Sequence, residues 1–188
     1  MRKPIDADSA HGTQPMVVWL NGPFGVGKTT AARSLRVACP KYHIYDPELV
    51  GVLLHRVTPK RWRPDDFQDY RLWRWLTATI LLCALRLGIR PLVVPMTLVD
   101  EQARRAILGR LLRHGVPVRE FWLHTDPNVL LQRLWSRDGR HGSWAEQQIE
   151  RCLAFPAQQA GAVSIDATQP VGAMRAQILS VLDSPYTS

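Results

Sequence analysis

Lys28 and Thr29 close the stretch Gly22-Pro23-Phe24-Gly25-Val26-Gly27-Lys28-Thr29, which fits the phosphate-binding pattern G-x-x-x-x-G-K-[ST]. Residue types in this order do phosphate chemistry. The glycines let the main chain reach positive φ and bring backbone N–H groups close to an anion. Lys28 supplies a cation for the β- and γ-phosphates of a nucleoside triphosphate, and the Thr29 hydroxyl supplies a ligand for Mg²⁺. A nucleoside triphosphate with Mg²⁺ is therefore the expected ligand. Gly22, Phe24, Gly25, Val26, Gly27, Lys28, Thr29 and Thr30 are the expected nucleotide contacts.

A carboxylate and several arginines could serve the transfer itself. Asp46 ends the run Tyr42-His43-Ile44-Tyr45-Asp46. There it could take a proton from an attacking hydroxyl or help hold Mg²⁺. Followed by Pro47 and Glu48, it is equally a good helix N-cap, and the two roles are compatible. Arg133 and Arg137 are spaced i,i+4, so two cations share one helix face, and an anion between them removes their repulsion. Residues 137–143, with Gly139 and Gly142, read as a lid whose arginines clamp a γ-phosphate. The alternative is a solvated basic face partnered by Asp126 and Asp138. Arg140 and Arg151 lie in the same region.

The segment Asp65 to Trp75 is dense in acids, rings and arginines. Asp66, Phe67, Tyr70 and Arg74, with Asp46, are candidates for holding the phosphoryl acceptor. Alternatively Phe67, Tyr70, Trp73, Leu76 and Ile80 fall at helical spacing and face the core. No aspartate ends the strand-like run Val94-Pro95-Met96-Thr97, where many P-loop enzymes carry a magnesium-linked one. Asp46, Asp100, or Thr29 with water could fill that role. The six histidines show no ligand spacing, and no metal cage is expected.

These residues need elements to hold them. Met16 to Leu20 is apolar and reads as the strand before the loop, with Thr29 to Leu35 as the helix after it. Further strands are expected over Tyr42–Asp46, Pro91–Thr97, Val118–His124 and Ala162–Asp166. Helices are expected from Pro47 to Arg56, from Asp65 to Leu87, from Asp100 to His114 and from Pro127 to Arg137. Two more follow, one capped by Ser143 with Glu146 and one from Val171 to Leu182. Thr58 to Pro64 reads as a loop. Alternation of this kind predicts an α/β fold: a five-stranded parallel sheet, helices on both faces, ligand at the carboxyl ends of the strands.

The chain has 188 residues, enough for one domain with a real core. That domain is expected over residues 16–184, behind a disordered polar leader at 1–15. Net charge is +8, but the basic residues are dispersed and match no nucleic-acid module, so no nucleic acid is expected as a partner. The longest apolar stretch, Leu76 to Leu85, is too short to span a bilayer. Met1 to Pro15 lacks the apolar core of a signal peptide. Cys39, Cys83 and Cys152 lie far apart, which predicts reduced thiols in a cytoplasmic protein.

Several segments together carry a family resemblance. They are Val18-Trp19-Leu20-Asn21 running into the glycine loop, Tyr45-Asp46-Pro47-Glu48, and Asp65-Asp66-Phe67-Gln68-Asp69-Tyr70 with Leu72-Trp73-Arg74. Val94-Pro95-Met96-Thr97, Ser143-Trp144 and Gln148-Ile149-Glu150-Arg151-Cys152 complete the set, in order over residues 16–155. In these the sequence resembles the ATP-binding tunicamycin-resistance proteins of bacteria. The D-D-F-Q and V-P-M-T segments single that family out. The resemblance implies a P-loop nucleoside-triphosphate hydrolase fold like that of small-molecule and nucleoside kinases. It implies ATP binding and protection against tunicamycin, a nucleoside antibiotic carrying sugars and a fatty acyl chain. It also implies peripheral membrane attachment through a C-terminal amphipathic helix, from which the short, non-basic last helix of this chain departs.

The expectation that results is a phosphotransferase. It would move the γ-phosphate of ATP to a hydroxyl of tunicamycin or a related nucleoside sugar, with Asp46 as base and Lys28, Arg133 and Arg137 around the phosphate. Two alternatives stand beside it. One is an ATP-dependent protein that sequesters the drug without transfer. The other is a housekeeping nucleoside or metabolite kinase.

Overall fold

Val17–Asn21 (β1) is buried at every position, as the centre of a parallel sheet covered on both faces requires. The computed structural model describes residues 17–64, 66–139, 141–155 and 161–184. The expected leader at 1–15, and Met16, Asp65 and Arg140, lie outside the described residues. β1 pairs in parallel with Leu92–Pro95 (β3) on one side and Val118–His124 (β4) on the other. His43–Ile44 (β2) lies beyond β3, and Val163–Asp166 (β5) beyond β4. The order β2-β3-β1-β4-β5 is parallel throughout, as the alternating pattern predicts.

Helices cover both faces. They are Lys28–Ala38 (α1), Glu48–Val57 (α2), Arg71–Arg86 (α3), Glu101–Arg113 (α4), Pro127–Asp138 (α5), Trp144–Gln147 (α6), Ile149–Leu153 (α7) and Val171–Asp183 (α8). Successive β1 side chains point to opposite faces. Val18 and Leu20 join the cluster built with α1, α5 and α8, including Leu35, Leu130, Leu134 and Ile178. Val17 and Trp19 join the cluster built with α3 and α4, including Trp73, Leu81, Ile107 and Leu111. Among the described residues no helix is long and apolar enough to cross a membrane.

Several elements differ from the sequence expectation. The helix expected from Asp65 starts only at Arg71. The Asp66 carboxylate accepts the Gln68 N–H at 2.9 Å and so ties Phe67–Asp69 into a separate 3₁₀ turn. Aspartate competes with helix through such local bonds. Tyr70 is then extended, and Phe67 leaves the helical stripe to pack on Gly51 of α2. The expected second strand shrinks to His43–Ile44, although Tyr45 N–H still donates to Val93 O at 3.0 Å. Asp46 therefore stands just past the strand. Thr58 to Pro64 carries a 3₁₀ turn at Lys60–Trp62.

Candidate functional site

The glycine loop leaves the carboxyl end of β1 and enters α1, so the N–H groups of the helix start face the loop's concavity. Gly27 precedes the helix at φ 106°, a conformation side chains avoid. Gly22 is more restricted. Its φ is 141°, and a Cβ there would lie 2.4 Å from Leu123 O. The Lys28 ammonium is buried and donates to Gly22 O at 3.0 Å and Pro23 O at 2.8 Å. It also lies 5.4 Å from the centre of the Phe24 ring. Burial pulls its pKa down to about 8, against the opposing field of Glu48.

A buried polar network outside the motif shapes the loop. Asn21 is fully buried, and its Oδ1 accepts the N–H groups of Gly22 and Leu98, each at 2.8 Å. Its Nδ2 donates to Leu98 O and to Glu120 Oε1, again at 2.8 Å. Glu120 is held in turn by Arg104, whose Nη1 lies 2.6 Å from Oε2. The Thr97 hydroxyl donates to Gly22 O at 2.9 Å. So Thr97, two residues past β3 where the expected strand ended without an aspartate, ties down the glycine loop. Asn21, Thr97, Arg104 and Glu120 were not among the expected site residues. Only the position of Asn21, last in a buried strand, could have signalled its role.

The carboxylates come together at the start of α2. Asp46 Oδ1 accepts the Glu48 N–H at 2.9 Å, which is the capping role. Glu48 sits in the field of Lys28, Arg137, Asp46 and Asp66. Burial and the neighbouring Asp46 push its pKa up, while Lys28 and Arg137 oppose the rise. Sequence reading treats Glu48 only as part of a cap. Asp100 instead caps α4, accepting the Ala103 N–H at 2.7 Å.

The arginines of α5 line an open groove of about 560 Å³ with Val129, Gln132 and Ser136. Arg133 donates to Val26 O in the loop and to Ala167 O past β5, both at 3.3 Å. Arg137 is still helical and pairs with Asp138 at 2.7 Å. Ser143 caps α6 by accepting the Glu146 N–H, as the capping box predicts.

Of the acceptor candidates, Phe67 and Tyr70 pack against the core, with Phe67 5.3 Å from Trp73 and Tyr70 5.4 Å from His55. Asp66 and Arg74 are buried polar residues. Arg74 Nε donates to Gln68 O at 2.6 Å. Cys152 is buried beside Phe24 and Lys28, and burial pushes its thiol pKa up.

Thr29 and Thr30 are exposed at the loop's mouth. Among the described residues no protein group bonds the Thr29 hydroxyl, so it is free to ligate Mg²⁺ carried by phosphates. No cluster of three or more His, Cys, Asp or Glu residues could hold a metal by itself among the described residues.

A parallel sheet in this order, with a lysine-bearing glycine loop between β1 and α1, defines a P-loop, kinase-like nucleotide-binding protein. Residues 17–157 match the AAA domain family, and the chain belongs to that family. No curated protein sequence matches it significantly. Among solved structures it is similar to the tunicamycin resistance protein of Deinococcus radiodurans, at 30% identity and TM-score 0.75, covering 92% of this chain and 98% of that one. The resemblance in the sequence is thus borne out. A gluconokinase from Sinorhizobium meliloti 1021 is similar at 23% identity and TM-score 0.64, covering 92% of this chain and 93% of that one. A deoxyadenosine kinase from M. mycoides is similar at 14% identity and TM-score 0.56, covering 90% and 100%. The last two matches show the fold alone.

Proposed function

We propose that the protein transfers the γ-phosphoryl group of ATP to a hydroxyl of tunicamycin or a related nucleoside sugar, in the cytoplasm. One observation carries this reading. The Asp46–Glu48 pair stands beside the P-loop, with Glu48 in the fields of both Lys28 and Arg137. Carboxylates beside a phosphate-binding lysine are what a hydroxyl acceptor needs. The 30% identity to the Deinococcus tunicamycin resistance protein supports the choice of acceptor.

In this reading the loop N–H groups and Lys28 hold the β- and γ-phosphates. Lys28 exchanges its bonds to Gly22 O and Pro23 O for phosphate oxygens, and Arg137 turns from Asp138 to the γ-phosphate. Arg133 fixes the groove beside the nucleotide. Mg²⁺, held by Thr29 and phosphate oxygens, would neutralise charge on the transferred group. Asp46 accepts the proton of the attacking hydroxyl. The oxygen then bonds to γ-phosphorus as the bond to the bridging oxygen of ADP breaks.

Asp46→Asn tests the assignment, because an amide oxygen still accepts the Glu48 N–H. Loss of a general base lowers kcat by about 10²–10⁴-fold. Acceptor-dependent ADP release from the folded variant at the unchanged rate would end the base role. A second reading, drug binding without transfer, draws on the outer face of α2, where Leu49, Val52, Leu53 and Val57 are exposed. Such a face suits an apolar tail. Stoichiometric protection without product would favour it.

A further inference from the structure

Asp66, within the electrostatic reach of Glu48, belongs to a second polar group that the phosphotransferase reading leaves unused. Asp66 and Gln68 are 6% and 2% exposed. Gln68 Nε2 donates to Asp66 Oδ2 at 3.2 Å, which aims the amide into this carboxylate. The other amide atom, Gln68 Oε1, is buried without a hydrogen-bond partner. A buried acceptor left unpaired is expensive, by about 1–3 kcal/mol. It is satisfied when something that donates arrives.

Arg151 covers this group from α7. It reaches Asp66 Oδ2 at 3.5 Å and Asp100 Oδ2 at 3.7 Å. Both separations are long for a charge-assisted bond. The Arg151 side chain is 41% exposed, so it can swing aside. The group belongs to the P-loop side of the molecule. Asp66 acts on both Glu48 and Cys152, and both of these feel Lys28.

The charges around it have a sign. Asp46, Glu48, Asp66 and Asp100 stand on the acceptor side, against Arg74, which contacts Asp100 at 3.5 Å, and Arg151. Lys28 and Arg137 are committed to ATP. The acceptor side is therefore rich in hydrogen-bond acceptors and short of cations. A ligand seated there must bring donors and must not bring negative charge.

We propose that Asp66, Gln68, Asp100 and Arg151 form a specificity subsite that selects an uncharged, hydroxyl-bearing acceptor and rejects anionic ones. The proposal rests on the phosphotransferase reading and narrows its substrate class. Arg151 gives up Asp66 and Asp100 as ligand hydroxyls take its place, and one of them supplies the proton missing at Gln68 Oε1. Sugar acids and nucleoside monophosphates are excluded on this ground.

The test is calorimetric binding to the full chain loaded with Mg²⁺ and a non-hydrolysable ATP analogue. The probes are tunicamycin and uridine, both uncharged, and uridine 5′-monophosphate as uridine's anionic twin. The wild type is expected to bind an uncharged probe, and uridine 5′-monophosphate about tenfold or more weakly than uridine. Asp66→Asn should weaken the uncharged probe about 10- to 100-fold and narrow the gap to the anion. A purely structural role would weaken both alike. Arg151→Gln, on the surface, guards against misfolding of the first variant and should widen the gap. Equal or tighter binding of the monophosphate, no binding of either uncharged probe, or an unmoved gap in both variants overturns the subsite. The two readings fail differently. Bound but never phosphorylated probe sinks the phosphotransferase and leaves the subsite. Transfer with an acceptor KM unchanged in Asp66→Asn does the reverse.

Discussion

Replacing Asn21 with alanine should loosen the glycine loop without touching any residue of the P-loop motif. The amide makes four buried bonds, to Gly22 N, Leu98 N, Leu98 O and Glu120 Oε1. Alanine leaves two N–H groups and one carbonyl unpaired, while Glu120 keeps Arg104. Each orphaned buried group costs about 1–3 kcal/mol, and water entering the amide-sized void recovers part of it, so about 3–5 kcal/mol is expected. For a protein of this size that lowers Tm by roughly 10 °C. The affinity for ATP should fall as well, because Gly22 N–H loses the group that orients it. Urea unfolding and titration with a non-hydrolysable ATP analogue read the two effects. A variant within about 1 kcal/mol of wild type, binding ATP unchanged, would refute the network as the loop's scaffold.

Three further outcomes follow from the same geometry. Between pH 8 and 10 the unfolded chain keeps the Lys28 proton, at its ordinary 10.5, while the folded protein has released it at about 8. The Lys28 contribution to stability should therefore rise by about 2 kcal/mol over that window, opposed from about pH 9 by the Cys152 thiol, which burial pushes up, and above pH 10 by Tyr42 and Tyr45, pushed up to about 12; the difference between wild type and Lys28→Met in denaturation curves reads it. Gly22→Ala sets a Cβ 2.4 Å from Leu123 O at φ 141° and should cost about 2–4 kcal/mol, an idea that an unchanged urea midpoint would dismiss. Arg133→Ala removes the link from Val26 O to Ala167 O and should weaken ATP binding about tenfold at nearly unchanged Tm; equal affinity would mean that the link does not shape the groove.

Local chemistry made much of this legible. The glycine loop is legible because phosphate cradling needs small residues and a cation at fixed offsets. β1 is legible because a strand buried on both faces shows an unbroken apolar run, and β4 because its residues alternate; β4 matches its expected bounds, Val118–His124. The start of α3 was misread because the Asp66 side chain competes for the Gln68 N–H, an interaction that periodicity does not register. Asn21 and Glu120 were missed for another reason. They lie 99 positions apart along the chain, and only the sheet brings them together. Glu48 was hidden by its ordinary place in a helix's first turn, and its surroundings come from α1 and α5.

The most direct test of the account is mass spectrometry of tunicamycin after incubation with the purified protein, ATP and Mg²⁺, with Lys28→Ala in parallel. The account predicts that the drug gains the mass of one phosphate with the wild type and none with the variant. Unchanged drug in both, with ATP bound by the wild type, would contradict it.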